Sequence, residues 1–105
     1  MTILVCDDDK EIVEAISIYL KQEGYDIVPA YNGKEALKQM KEQEIHLVIL
    51  DIMMPVLDGL NATLKIRESL NIPIILLSAK SEDTDKITGL GFGADDYVTK
   101  PFNPL

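Results

Sequence analysis

The chain has 105 residues, enough for one domain with a single hydrophobic core. Its 47% hydrophobic and 27% charged residues are the ordinary balance of a soluble globular protein. The formal net charge of −8 argues against a nucleic-acid or anionic-membrane surface but permits a cation site. The single cysteine, Cys6, excludes an internal disulfide and fits a cytoplasmic location, and we find neither a membrane-spanning apolar run nor a signal-peptide pattern.

Five predicted strand segments alternate along the chain with segments of helical spacing. The strand segments cover residues 3–6, 25–28, 47–50, 74–77 and 95–99. Between them we predict helices after Asp9, after Gly33, after Gly59 and from Ser81, with Gly24 ending the first. Strict alternation of strand and helix predicts an α/β fold, in which a parallel sheet with right-handed crossovers carries helices on both faces.

Polar side chains follow four of the five predicted strands. Asp7 and Asp8 come after the first strand, Asp51 after the third, Ser78 after the fourth and Lys100 after the fifth. The carboxyl ends of parallel strands lie along one edge of the sheet, where α/β proteins bind their ligands. We therefore expect these five side chains to converge.

This set of side chains favours phosphate chemistry. Three neighbouring carboxylates repel one another, which is relieved by raised pKa values, by a bound cation, or by both. Carboxylates with water and a carbonyl suit Mg²⁺ or Mn²⁺, and Mg²⁺ held in this way typically receives phosphate oxygens. Lys100 and Ser78 are suited to the remaining phosphate oxygens, and a carboxylate can itself be a nucleophile. The residues predict a Mg²⁺-dependent phosphoryl acceptor in which Asp51 attacks.

Four motifs that span the chain in order resemble a known family. They are Ile3-Leu4-Val5-Cys6-Asp7-Asp8-Asp9, Leu50-Asp51-Ile52-Met53-Met54-Pro55 with Asp58-Gly59, Leu77-Ser78-Ala79, and Gly93-Ala94-Asp95-Asp96-Tyr97-Val98-Thr99-Lys100-Pro101-Phe102. Together they are similar to the receiver domain of bacterial two-component response regulators, and the last resembles regulators with a winged-helix DNA-binding domain. The resemblance implies a flavodoxin-like, doubly wound, five-stranded parallel sheet of order 2-1-3-4-5.

The resemblance also implies which residues hold the metal and the phosphoryl group. Asp51 would accept the phosphoryl group from a phosphohistidine on a sensor histidine kinase. Asp7, Asp8 and Asp51 would hold Mg²⁺, with Asp8 the more direct ligand of the first two. The backbone carbonyl of Met53 would complete the protein ligands.

Further roles are implied for residues around this centre. Lys100 would contact the phosphoryl group, and Ser78 would be the switch hydroxyl that moves toward it. Tyr97 would be the rotating aromatic coupled to Ser78. Met53 and Lys80 would tune how fast water removes the phosphoryl group. The protein would then be no enzyme in the usual sense, but a phosphoacceptor that assists its own phosphoryl transfer and dephosphorylation.

The resemblance implies partners for the full protein, and the chain departs from the family pattern in one respect. The full protein would form a homodimer through its fourth-helix and fifth-strand face, and would reach DNA only through an output domain absent here. The chain stops where the family has a fifth helix, so we expect residues 1–105 to be a receiver domain truncated before that helix. An uncovered apolar face predicts self-association or swapping of such a fragment.

Four other functions can be compared with the same residues. A haloacid-dehalogenase-type phosphatase needs a second aspartate two residues after its nucleophile, and that position is Met53. A calcium-binding loop starting at Asp7 lacks its glycine and glutamate, which are replaced by Ile12 and Ile18. A flavodoxin-like carrier would place three acids beside the FMN phosphate without a metal. A non-phosphorylated interaction module of the same fold stays open.

Overall fold

The computed structural model describes residues 1–52, 57–78 and 94–99. The predicted fourth helix and the site residues Met53, Lys80 and Lys100 lie outside the described residues, as do the side chains of Ser78 and Tyr97. The elements in chain order are β1 (Thr2–Cys6), α1 (Lys10–Gln22), β2 (Asp26–Ala30), α2 (Gly33–Glu42), β3 (Leu47–Asp51), α3 (Gly59–Arg67), β4 (Ile74–Ser78) and β5 (Asp96–Thr99).

The five strands form one sheet in the order β2-β1-β3-β4-β5, and every neighbouring pair is parallel. This confirms the predicted doubly wound architecture and strand order. Most strand ends lie within one residue of the prediction, and the largest difference is in β2, which runs to Ala30 whereas the predicted run ended at residue 28. The strand continues through Pro29 because β2 is an edge strand, where a residue without an N–H costs no ladder hydrogen bond on the open side.

Alternating residues of the strands build two apolar layers, one on each face of the sheet. On one face, Leu4, Leu50 and Leu76 pack with residues of α2 and α3, including the fully buried Ala36 and Ala62. On the other face, a second layer packs against α1; its buried members are Ile3, Val5, Val13, Ile16 and Leu77. β1 is therefore buried on both faces, as a continuous apolar run predicts, whereas β3 and β4 are only half-buried on the α1 face, at Ile49 and Ile75.

Helix ends are set by local side-chain hydrogen bonds. Asp9, Asn32 and Asp58 are the N-caps of α1, α2 and α3, and each accepts a hydrogen bond from a backbone N–H of the first turn. After α1, Gly24 takes a φ of 95°, a left-handed conformation that favours glycine and ends the helix as predicted. These caps fix where the chain enters each helix relative to the strand before it.

Arg67 ties the amino ends of β4 and β5 to the end of α3. Its guanidinium donates to the Ile72 carbonyl at 2.5 Å and to the Asp95 carboxylate at 2.6 Å. The same carboxylate accepts from the Ile74 N–H at 2.8 Å, and the Asp95 N–H donates to the Ile74 carbonyl at 2.8 Å. One charge-assisted network therefore anchors the sheet at the end opposite its carboxyl edge.

An apolar groove of about 210 Å³ lies on the α1 face of the sheet, which we call the α1-side groove. Its lining residues come from α1, β3, β4 and β5: Ile16, Tyr19, Leu20, Ile49, Ile75, Leu77 and Val98. On the opposite face, α2 and α3 pack on the same strands. Within the described residues, no helix has the length and apolar character needed to cross a bilayer.

Candidate functional site

The carboxyl ends of β1 and β3 bring three predicted carboxylates together. The two strands pair in register, with Cys6 opposite Leu50, so that Asp7 and Asp51 follow side by side. One carboxylate oxygen from each of Asp7, Asp8 and Asp51 lies within 4.8 Å of the others. The predicted convergence of these three side chains is therefore seen in the structure, because parallel pairing aligns the strand ends.

The three carboxylates differ sharply in burial. Asp7 is fully buried and Asp51 is 3% exposed, whereas Asp8 lies in solvent. A buried carboxylate is costly unless it is hydrogen-bonded, paired or bound to a cation. Asp7 accepts a hydrogen bond from the Asp9 N–H at 3.0 Å, while its own N–H donates to the Ala30 carbonyl at 3.2 Å. The cluster thus consists of two buried carboxylates, Asp7 and Asp51, and one solvent-exposed carboxylate, Asp8.

This donor set fits a small divalent cation. Three carboxylate oxygens within 4.8 Å are hard ligands at a separation that one metal ion can bridge, and the exposed side leaves space for water. A cation would also offset the mutual repulsion of two buried acids. The adjacent Asp9 does not belong to the cluster, because its carboxylate accepts from the Glu11 N–H at 3.0 Å and caps α1.

Gly59 contributes to the site, although the sequence indicated only a turn or the start of a helix at Asp58-Gly59. Its N–H donates to the Ile52 carbonyl at 2.9 Å. A Cβ atom at this position would fall on the carbonyl oxygen of Asp51, far inside van der Waals distance. The start of α3 can therefore lie against the Asp51 backbone only because residue 59 has no side chain.

Cys6 is a buried residue that lies directly before the acidic cluster in the sequence. Its thiol donates to the Asn32 carbonyl at 3.2 Å, and the side chain is fully buried. Burial, followed by the negative charges of Asp7, Glu35, Asp51 and Asp8, raises the pKa of the thiol from 9.0 to about 12. The raised pKa favours the protonated thiol, which is the form that donates to the Asn32 carbonyl.

The structure shows the positions of some predicted site residues. It brings together Asp7, Asp8 and Asp51. The backbone of Ser78 ends β4 and pairs with Thr99 at the end of β5, on the same edge of the sheet. The positions predicted for the other site groups fall outside the described residues.

A comparison with protein families identifies the chain. The model of the response regulator receiver domain matches residues 3–105. The chain belongs to this family. This receiver domain is 47% identical over 104 residues to the response regulator GtcR of Aneurinibacillus migulanus, an alignment that covers 99% of this chain and 43% of GtcR. The receiver chain thus spans less than half the length of that relative.

Solved structures agree with this assignment. The receiver domain of the Francisella response regulator 1452 superposes with a TM-score of 0.93 at 40% identity, covering 98% of this chain and 86% of that one. The receiver domain of Ssk1 from Saccharomyces cerevisiae, solved with the histidine phosphotransfer protein Ypd1, gives 0.91 at 28% identity, covering 98% and 80%. Receiver domains are phosphoacceptor domains of two-component signalling, and they bind Mg²⁺ at an acidic pocket.

Proposed function

We propose that Asp51 of this receiver domain accepts a phosphoryl group from a sensor histidine kinase in a Mg²⁺-dependent reaction. One observation carries the proposal: a nearly buried carboxylate ends the central strand of a receiver domain, with two further carboxylates within 4.8 Å. An aspartate can act as a nucleophile toward phosphorus when the developing charge is neutralised and the groups are in line.

The position of β3 in the sheet supports Asp51 as the acceptor over Asp7 and Asp8. β3 lies between β1 and β4, so Asp51 has the acidic pair on one side and the ends of β4 and β5 on the other. Asp7 is already oriented by the Asp9 N–H. A phosphoryl group on Asp51 would therefore lie between the metal ligands and the groups proposed at the last two strand ends.

The proposed metal ligands are the carboxylates of Asp7, Asp8 and Asp51 with the backbone carbonyl of Met53. Mg²⁺ is the ion expected, and Mn²⁺ could replace it because both prefer oxygen ligands. When bound, the ion neutralises phosphoryl oxygens and so lowers the barrier to in-line transfer. The protein's own contribution is to hold the Asp51 carboxylate at a fixed position on a rigid strand.

Five further roles are proposed for residues that the family pattern assigns. Lys100 contacts the phosphoryl group as a cationic partner, and Ser78 donates its hydroxyl to it after phosphorylation. Tyr97 changes rotamer with Ser78 and reports the change at the surface. Met53 and Lys80, two residues beyond Asp51 and Ser78, control the access of water to the phosphoryl group.

We propose that this receiver domain is part of a longer, cytoplasmic protein that receives its phosphoryl group from a separate partner. Ssk1 was solved with a histidine phosphotransfer protein, which supports a phosphohistidine donor for this chain as well. The 43% coverage of GtcR leaves room for an output domain, which we propose to be transcriptional and to bind DNA as a homodimer joined through the fourth helix and β5. We further propose that the fifth helix of the receiver fold, outside this chain, covers the α1-side groove.

Intact mass after treatment with acetyl phosphate tests the acceptor. We expect a stoichiometric gain of one phosphoryl group with Mg²⁺, little gain with EDTA, and none in Asp51→Asn. Asp9→Asn is the matched control, because it removes the same charge from a helix cap that asparagine also fills. A folded wild-type protein that gains no mass would contradict the proposal and favour a non-phosphorylated interaction module. If Asp51→Asn and Asp9→Asn lost the mass gain equally, the assignment of the acceptor to Asp51 would be contradicted.

A further inference from the structure

A steric contact joins the start of α2 to the segment that follows the acceptor strand. Gly33 is the first residue of α2 and is buried. A Cβ atom there would fall on the carbonyl oxygen of Leu57 and lie 2.8 Å from the Leu57 Cβ. The backbones of residues 33 and 57 are therefore in direct contact, and only glycine permits it.

The start of α2 is held in place from the β1 side. The Asn32 carbonyl accepts from the buried Cys6 thiol at 3.2 Å, and the Asn32 side chain exchanges hydrogen bonds with Glu35 at 2.8 and 3.0 Å. The Asn32–Glu35 bonds keep the first turn of α2 intact, and moving that turn away from Leu57 would break the Cys6–Asn32 hydrogen bond to β1. The displacement therefore falls on Leu57, which is only half-buried.

Leu57 is directly connected to the acceptor strand. Asp58 follows it and caps α3, and Gly59 donates its N–H to the Ile52 carbonyl. Gly59 also lies against the carbonyl of Asp51 with no room for a side chain. A shift of Leu57 is thus passed within two residues to the backbone that carries the acceptor carboxylate.

We infer that Gly33 is a positioning residue of the phosphoryl-acceptor site. It lets the start of α2 support Leu57, and through the Gly59 contact this support fixes the backbone of Asp51. The inference rests on the proposed function, since it concerns the geometry of that same acceptor. Gly33 touches neither the metal ligands' carboxylates nor the phosphoryl group, so its effect is on their alignment.

Two glycine-to-alanine variants test the inference. Gly33→Ala adds the methyl group at the contact, whereas Gly24→Ala strains a left-handed residue where a Cβ meets no atom within 4 Å. Gly24 lies beyond the end of α1, before β2 begins, so its variant is a control for loss of stability alone. Alanine is the better helix former, so loss of stability in Gly33→Ala would itself report the collision.

We expect Gly33→Ala to react with acetyl phosphate about tenfold more slowly than the wild type, at equal folded fraction, because small misplacements of a nucleophile have effects of this order. We also expect that this variant alone needs more Mg²⁺ than the wild type to reach half of its maximal phosphorylation rate. Wild-type kinetics in Gly33→Ala, or equal slowing in Gly24→Ala, would overturn the inference. A wild type that takes no phosphoryl group would instead overturn the proposed function.

A measurement on the wild type alone tests the positioning role of Gly33 if Gly33→Ala does not fold or the wild type is not phosphorylated. In the wild type, titration with Mg²⁺ alone is followed through the backbone amide resonances of the glycines. We expect the resonances of the Gly33 and Gly59 amides to shift with the same apparent dissociation constant for Mg²⁺. The Gly24 amide resonance should stay unchanged. A Gly33 amide that stays unchanged while Gly59 shifts would overturn the inference.

Discussion

At the scale of single residues, burial separates side chains that the sequence places next to one another. Asp7 and Asp8 are neighbours, yet one is fully buried and the other exposed. The next acid, Asp9, caps α1 and is not part of the site. The sequence predicted that this acidic run meets Asp51, because the ends of paired parallel strands are aligned. It could not predict the division of roles, which depends on the turn that the Asp7–Ala30 hydrogen bond fixes.

Cys6 gives a prediction at this scale. Burial and the surrounding acids raise the pKa of its thiol to about 12 in the folded protein, above the ordinary value of 9.0. Its contribution to stability is therefore complete below pH 9 and is lost as the pH rises through 12, because the unfolded chain releases the proton first. We expect wild-type stability to fall relative to Cys6→Ala above pH 9, by at most about 1.4 kcal/mol per pH unit.

Urea unfolding of both proteins at pH 8, 9 and 10 measures this difference. Tyrosine and lysine side chains titrate in the same range, but they do so in both proteins and cancel in the comparison. The lost hydrogen bond to Asn32 adds a constant offset without a pH slope. Parallel profiles from pH 8 to pH 10 would contradict the raised pKa.

At the scale of elements, strands were easier to predict than the contacts between helices and strands. The predicted strand segments located all five strands, and the largest extension was in β2, by two residues through Pro29 at the sheet edge. The close approaches of Gly33 to Leu57 and of Gly59 to Asp51 could not be predicted, since they depend on how α2 and α3 cross the sheet. A glycine at the start of a helix reads the same in the sequence whether or not another backbone lies against it.

The α1-side groove gives a prediction at this scale. Its described lining is apolar throughout, and such surface favours association. We expect the 105-residue chain to self-associate as its concentration rises, and Ile75→Glu, which places a charge in the groove on β4, to remain monomeric. Sedimentation velocity across a hundredfold concentration range measures this. Thr2→Glu, at the amino end of β1 and outside the groove lining, is the control, and a compact wild-type monomer at every concentration would contradict the prediction.

At the scale of the whole molecule, the fold brings acidic groups together at one edge of the sheet. Strand alternation predicted the parallel sheet, whereas the order β2-β1-β3-β4-β5 came from resemblance, because patterns along a chain do not state which strands are neighbours. That order is what places Asp51 between the acidic pair and the ends of β4 and β5. The site is therefore a property of the topology as much as of its residues.

This arrangement predicts that Mg²⁺ stabilises the whole domain. The three carboxylates are brought within 4.8 Å only in the folded chain, so a cation bound there favours folding by mass action. We expect millimolar MgCl₂ to raise the melting temperature by several degrees, corresponding to about 1–3 kcal/mol. NaCl at equal ionic strength is the control for screening, and Asp8→Asn should lose most of the effect. An identical rise with NaCl would contradict a specific site.

The Arg67 network has a mechanical consequence for the sheet. One guanidinium holds the amino ends of β4 and β5 through Ile72 and Asp95, and Asp95 is bonded twice to Ile74. A slide of β5 along β4 would break both hydrogen bonds between Asp95 and Ile74, whereas the bond from Arg67 to the Ile72 carbonyl does not cross from β4 to β5. A rearrangement of the carboxyl ends of these strands that leaves this network intact would therefore be a pivot about the amino end, with the amplitude growing along each strand toward the acidic edge.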